Sequence, residues 1–228
     1  MKYRSKLYKS KLESIDKTKV YSLEEGIDTM LSLKKGAFDE SVELHLVVNL
    51  KGTKGPQSVR GSVLLPKPVA KTKRVIVLTD NEEKSSQAKL AGADLVGGKE
   101  IIEEIKKNGG IEADIIIATP DFMKLLAPVA KILGPKGLMP SPKNGTTTED
   151  VSKIVKEFKA GKAEFRMDKT GIIHQSIGKV SFTKEEILAN IKEFVSEVDK
   201  NKPEKVKGDM IKLAYLTLTQ SPSIKVKL

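Results

Sequence analysis

The sequence predicts a mixed fold in two parts: an α+β domain made by both ends of the chain, and a doubly wound α/β domain inserted between them. Three observations carry this. In the outer segments apolar and polar residues alternate, the pattern of strands with one buried face. From Lys73 short continuous apolar runs alternate with helical stretches, the pattern of a parallel sheet covered on both faces. After residue 160 the alternating pattern returns. The expected boundaries are residues 1–66 with 160–228 for the outer domain and 67–159 for the insert.

Ser22 and Glu25 form an S-x-x-E capping box ahead of an amphipathic helix, "LEEGIDTMLSLKK". In "ESVELHLVVNLK" the residues Val42, Leu44, Leu46, Val48 and Leu50 fall on every second position, which makes a strand. "SVRGSVLLP" reads as its partner, reached through the turn-rich "GTKGPQ". The insert runs "RVIVLTD", helix "NEEKSSQAKLAGA", "DLVGG", helix "KEIIEEIKK", "ADIIIATPD", then a third helix with Thr119 as cap and Pro120 in its first position. The loop "ILGPKGLMPSPKNGTTTED" holds three glycines and three prolines, too many for a regular element. A helix, "EDVSKIVKEFKAG", follows and ends at Gly161. "KAEFRMDKTGIIHQSIGKVSF" reads as antiparallel strands about "DKTG", and Thr183 with Glu186 caps the helix "KEEILANIKEFVSEVDK". Two last strands, "IKLAYLTLTQ" and "SIKVKL", turn at Ser221-Pro222.

Composition narrows the partners. The formal net charge is +11 over 228 residues, which favours a polyanion, most often nucleic acid. Aromatics are 4% and tryptophan is absent, which argues against a surface that works mainly by stacking bases. The outer segments carry +8 and the middle +3, so the outer domain is expected to face the anion. With no cysteine, disulfides and thiolate metal sites are excluded. No apolar run approaches the ~20 residues of a membrane span. The basic N-terminus "MKYRSKLYKSKLESIDK" lacks the apolar core of a secretory signal, so a cytoplasmic protein is expected.

An enzyme would use the carboxyl ends of the insert's strands, at Asp80 and Thr119. No G-x-G-x-x-G follows "RVIVLTD", and the loop lacks G-x-x-x-x-G-K-[ST]. Its prolines also remove N–H donors that a phosphate cradle needs. His45 and His174 lie on strand patterns with no neighbouring ligand cluster, so no metal and no cofactor are expected. A nucleotide-dependent enzyme remains the rival reading, separable by salt-sensitive RNA binding. The richer cluster is "FRMDKTGIIHQSIGKVSF", where Arg166, Lys169 and Lys179 suit phosphates and Thr170 and Ser181 suit hydroxyls and base edges.

"LGPKGLMPSPKNGT", "FDESVELHLVV", "VRGSVLLP", "AGADLVGG", "DIIIATPDFM", "VKEFKAGKAEFRMDKTGIIHQSIGKVSF" and "LTLTQSPS" together resemble the ribosomal protein L1 family in its bacterial form, in order and over nearly the whole chain. The resemblance implies a split α+β sandwich with an inserted Rossmann-like, three-layer α/β domain. It implies a non-enzymatic constituent of the large ribosomal subunit in the cytoplasm, monomeric when free. Such a protein binds 23S rRNA, forms the mobile stalk near the exit site, assists release of deacylated tRNA, and represses translation by binding its own mRNA leader.

Carried over by position, the resemblance implies an RNA surface of Phe38, Glu40, Arg166, Asp168, Lys169, Thr170, Gly171, His174, Gly178, Lys179, Ser181, Thr217, Thr219, Gln220 and Ser221. It implies hinge segments at Pro66-Lys67-Pro68 and Ala160-Gly161, and a loop 134–148 that holds a fixed shape near the interdomain cleft. Two departures from the family pattern cover three positions. Ala37 stands where a lysine is common, and Gln220-Ser221 where Met-Gly is common, so a serine side chain must fit where backbone is expected to approach RNA.

Overall fold

The computed structural model describes residues 5–34, 38–49, 59–69, 73–203, 206 and 208–228. The chain divides into two compact units, residues 1–69 with 165–228, and residues 70–164. The outer unit begins with helix α1 (Lys6–Glu13), whose cap Ser5 accepts from the Tyr8 amide. The basic N-terminus is thus part of the fold from residue 5 onward. Strand β1 (Tyr21–Ser22) leads into α2 (Leu23–Ser32), and Ser22 Oγ accepts from the Glu25 amide as the capping spacing predicts. Strand β2 (Ser41–Val48) buries Val42, Leu44, Leu46 and Val48 and leaves the residues between them half-buried. Strand β3 (Arg60–Val63) follows. Leu50 and the "GTKGPQ" turn lie outside the described residues.

In the insert, β4 (Val75–Leu78), α3 (Glu82–Leu90), β5 (Leu95–Gly97), α4 (Lys99–Asn108) and β6 (Ile115–Ala118) build a parallel sheet in the order β5-β4-β6. Every residue of β4 and β6 is buried, because helices cover both faces. Val75 and Val77 pack with Ala88, Val151, Val155 and Phe158 on one side. Ile76 and Leu78 pack with Ile101, Ile102 and Ile105 on the other. The unit therefore has three layers. The expected third helix is broken into a 3₁₀ turn at Pro120–Phe122, α5 (Met123–Leu126), a second 3₁₀ turn at Ala127–Val129, and α6 (Ala130–Leu133). Pro128, with no N–H and a ring that excludes the carbonyl four residues back, interrupts a continuous α-helix.

The long loop is a sheet edge and a core plug. Leu138 and Met139 pack on the cluster of Ile76, Ile105 and Leu133. Thr146 is buried, its Oγ1 accepting from the Ser141 amide at 2.8 Å. The Ala118 amide donates to Thr146 O and the Thr148 amide to Ala118 O, so the loop adds a parallel bridge beside β6. Helix α7 (Val151–Lys159) is capped by Asp150, and Gly161 follows it at φ 103°.

Strand β7 (Ala163–Arg166) pairs with β3 in a two-stranded sheet, so "SVRGSVLLP" is not the partner of β2. Both edges of β2 are already taken: β8 (Ile172–Lys179) and β9 (Ile211–Leu218) flank it, each antiparallel. With α8 (Lys184–Lys200) and β10 (Ile224–Lys227), the sheet order is β1-β10-β9-β2-β8. Helix α2 packs on β9 and β10, and α8 on β3 and β8. Strands β7 and β8 share only the bridge Met167–Ile173, so "DKTG" joins two sheets rather than closing a full hairpin.

The division between the units falls after residues 69 and 164, beyond both expected hinge segments. Pro66-Lys67-Pro68 is strapped to α8. Asn190, fully buried, accepts from the Lys67 amide at 3.0 Å and donates to Lys67 O at 2.9 Å and Ile177 O at 2.7 Å. Lys67 Nζ adds an ion pair to Glu186 at 2.9 Å. Ala160-Gly161 closes α7 inside the insert, with amides donating to Lys156 O and Phe158 O. Asn190→Ala strands these backbone groups and is expected to cost about 1–3 kcal/mol of stability, read as a lower urea midpoint.

Candidate nucleic-acid interface

The carried-over residues collect at the two ends of β8. At about 3.3 Å per residue, the eight-residue strand holds these ends ~23 Å apart. The first end is the turn before β8. Asp168 Oδ1 accepts from the amides of Thr170 at 2.9 Å and Ile172 at 2.8 Å, and its Oδ2 accepts from Thr170 Oγ1 at 2.6 Å. The Thr170 hydroxyl and then the Ile172 amide hold the Asp168 carboxyl down at about 2. Gly171 takes φ 85°, the left-handed region that favours glycine, and its carbonyl accepts from the Val48 amide at 2.8 Å. Asp168, Thr170 and Gly171 therefore shape the turn, while Arg166 and Lys169 stand exposed as its cations.

Along the open face, His174 pairs with His45 across β2 and β8, their Nδ1 atoms 2.8 Å apart. One ring donates and the other accepts. Burial, then His174, pushes His45 below its ordinary value, against the pull of Glu43. His174 Nε2 lies 3.6 Å from Asp168 Oδ2, linking this pair to the turn. His45 was not among the expected site residues.

At the far end three segments converge: residues 38–41, 179–181 and 217–221. Glu40 is fully buried, not exposed to a ligand. Its Oε2 accepts from the Gln220 amide at 3.0 Å, and its backbone carbonyl accepts from the Val180 amide at 3.0 Å. Lys11 of α1, also fully buried, brings Nζ within 3.6 Å of Glu40 Oε1. That distance suits a charge pair but not a hydrogen bond. Lys11 Nζ instead donates to Ser221 Oγ at 2.9 Å and Gln220 O at 3.2 Å. Ser221 thus fits by turning its hydroxyl inward. Asp39 accepts from the Ser181 amide at 3.0 Å and hydroxyl at 2.9 Å, with Lys179 Nζ at 3.9 Å.

The threonines also brace this end. Thr217 Oγ1 donates toward Ser221 O and Leu218 O, both at 3.1 Å, and Thr219 Oγ1 accepts from the Ser41 amide at 3.0 Å. The strand stops at Leu218, so Thr219 lies in the turn beyond it. Gly178 is buried, and a Cβ there would meet Ile187 at 3.3 Å and Phe182 at 3.4 Å, so it serves packing onto α8. Phe38, Lys179, Ser181, Thr219 and Gln220 remain at the surface, Phe38 with 46% of its area exposed. Ala37 lies outside the described residues. In the insert Thr119 is buried, its side chain caps nothing, and Asp80 is exposed. Among the described residues no group of His, Asp and Glu is placed to hold a metal ion.

The model of the ribosomal protein L1p/L10e family matches residues 30–222. The chain belongs to that family. It is 46% identical to the large ribosomal subunit protein uL1 of Mycoplasma capricolum over 98% of both chains. It is 45% identical to the uL1 proteins of Thermosipho melanesiensis, over 99% of this chain and 97% of the relative, and of Mesoplasma florum, over 98% of both. As an L1-family member it is a structural ribosomal protein and not an enzyme.

Lys11, like His45, was not among the expected residues. Leu7, one turn before it on α1, is exposed, and the helix ends at Glu13 before Ile15, so no apolar stripe marks Lys11 as a buried position. The Asp168 turn gives a pH prediction for this L1-family chain. Its folded carboxyl sits below the ordinary 3.8, so the ordering it provides is complete above that value and is lost as pH falls through about 2. The Thr170 and Ile172 amide signals in NMR are expected to titrate with a midpoint near 2; a midpoint near 3.8 contradicts the geometry.

Proposed function

We propose that this L1-family chain binds 23S rRNA in the large ribosomal subunit through the outer unit, along the strip from the Asp168 turn to the converged segments at residues 38–41, 179–181 and 219–221. The carrying observation is that a run of matched residues scattered over the sequence comes together on one unit. Buried groups there shape the backbone, while Phe38, Arg166, Lys169, Lys179 and Gln220 face outward. By sequence that unit carries 25 basic against 16 acidic groups, and the insert 16 against 14. Phosphates suit the lysines and arginine, and rigid polar backbone suits ribose hydroxyls and base edges.

In the subunit this binding forms the mobile stalk near the exit site and assists release of deacylated tRNA. The same surface, offered an RNA of similar shape in the chain's own mRNA leader, represses its translation. The stalk's movement is carried by the two chain crossings between the units.

The test is binding to a transcript of the stalk region of 23S rRNA across a salt series. Affinity is expected to fall steeply with salt, and Lys169→Ala is expected to make the slope shallower by ~0.7–0.9, one phosphate contact. Salt-insensitive binding, or an isolated insert that binds this RNA better than the full chain, contradicts the proposal.

A further inference from the structure

We infer that Lys11 is a positioning residue for RNA binding: buried beneath the 219–221 turn, it fixes the turn's orientation through the Gln220 carbonyl, the Ser221 hydroxyl and the charge of Glu40. The inference rests on the RNA-binding reading of that turn.

Lysine and glutamate are almost never fully buried unless paired, and here both side chains have no exposed area. An ammonium offers three donors. Two of them reach the turn, at Ser221 Oγ and Gln220 O, and Glu40 stands 3.6 Å from the same nitrogen. Glu40 Oε2 takes the Gln220 amide. Gln220 is therefore held at both its N–H and its C=O by oppositely charged groups that compensate each other. That double hold sets the peptide planes on either side of residue 220. With Ser221 drawn inward, Thr219 and Gln220 are the side chains left to face out.

The arrangement also explains the departure at the end of the chain. A hydroxyl where glycine is common obstructs nothing, because Lys11 takes it from below. Glu40 Oε1 has no hydrogen-bond donor at all, so Lys11 is its sole compensation among the described residues. Removing the lysine leaves a buried carboxylate that must draw in water or move, and the Gln220 amide moves with it.

Lys11 touches no solvent, so its loss and the loss of a phosphate contact have different signatures. The experiment measures affinity for the 23S stalk transcript over a salt series for the unaltered chain, Lys11→Met, Lys11→Met with Glu40→Gln, and Lys169→Ala. Cooperative thermal unfolding is checked for each. Lys11→Met is expected to weaken binding about tenfold with the salt slope unchanged. The added Glu40→Gln is expected to restore most of that loss, although no cation returns, because it removes the stranded charge. If Lys11→Met fails to fold, the double variant carries the test, and near-normal affinity with an unchanged slope supports the inference.

Three results overturn it. One is normal binding by Lys11→Met while Lys169→Ala weakens, which leaves RNA binding standing. Another is a shallower slope for Lys11→Met, which makes Lys11 a direct phosphate contact. The third is a folded double variant that binds weakly. If the unaltered chain shows no salt-sensitive binding, the RNA reading and this inference fall together.

Discussion

A carboxylate taken out of water has to be compensated where it stands, and Glu40 is the point at which the outer unit meets that requirement. Two parts of the chain far apart in sequence answer it: Lys11 from the N-terminal helix and the Gln220 amide from the last turn. Satisfying one charge therefore brings α1 and the β9–β10 turn together, while the Glu40 carbonyl ties the same residue to Val180 at the end of β8. Removing one partner from such a buried pair usually costs about 3–5 kcal/mol, because the other charge is left buried and uncompensated. The surface around it inherits its shape from that constraint.

The insert is organised by a different constraint, the need to cover both faces of a short parallel sheet. Val75 and Val77 face one layer and Ile76 and Leu78 the other. The glycine- and proline-rich loop serves the same end. It places Leu138 in the core and bonds its backbone to Ala118 at the sheet's open edge. Prolines restrict the unfolded loop, so less freedom is lost when that shape forms. Where the chain leaves this unit, Lys159 Nζ holds Lys73 O at 2.9 Å and Lys73 Nζ holds Lys162 O at 2.7 Å, fastening its two ends to each other. Burial pushes Lys73 below the ordinary lysine range and Glu164 above the ordinary carboxylate range at the same place.

Local signals were legible wherever the physics is local. The alternation through Val42 and Val48, the capping spacing at Ser22 and Thr183, and the continuous apolar runs of β4 and β6 each appear where periodicity puts them. What periodicity does not contain is partnership across the chain. Nothing in "SVRGSVLLP" says that its mate is β7 rather than β2, because pairing is set by which edges remain open after β8 and β9 have docked. Pro128 breaks the insert's third helix, a stop that the start signals at Thr119 and Pro120 do not carry. At the site, the family resemblance named positions but not the part each side chain plays in the structure. Glu40, Gly178 and Thr217 support the surface from beneath; Lys11 lies outside the matched motifs, and His45 lies within one of them but was not carried over as a site residue. Only the distances separate a residue that meets a ligand from one that holds its neighbour in place.

The central claim is that one strip on the outer unit, running from the Asp168 turn to the converged segments around Glu40, is the surface that meets RNA. Amide hydrogen exchange of the full chain, alone and saturated with the 23S stalk transcript, tests it most directly. The account predicts added protection in residues 38–48, 166–181 and 211–221, with the core strands of the insert unchanged. Protection centred on residues 73–164, with the outer segments unaffected, would contradict it.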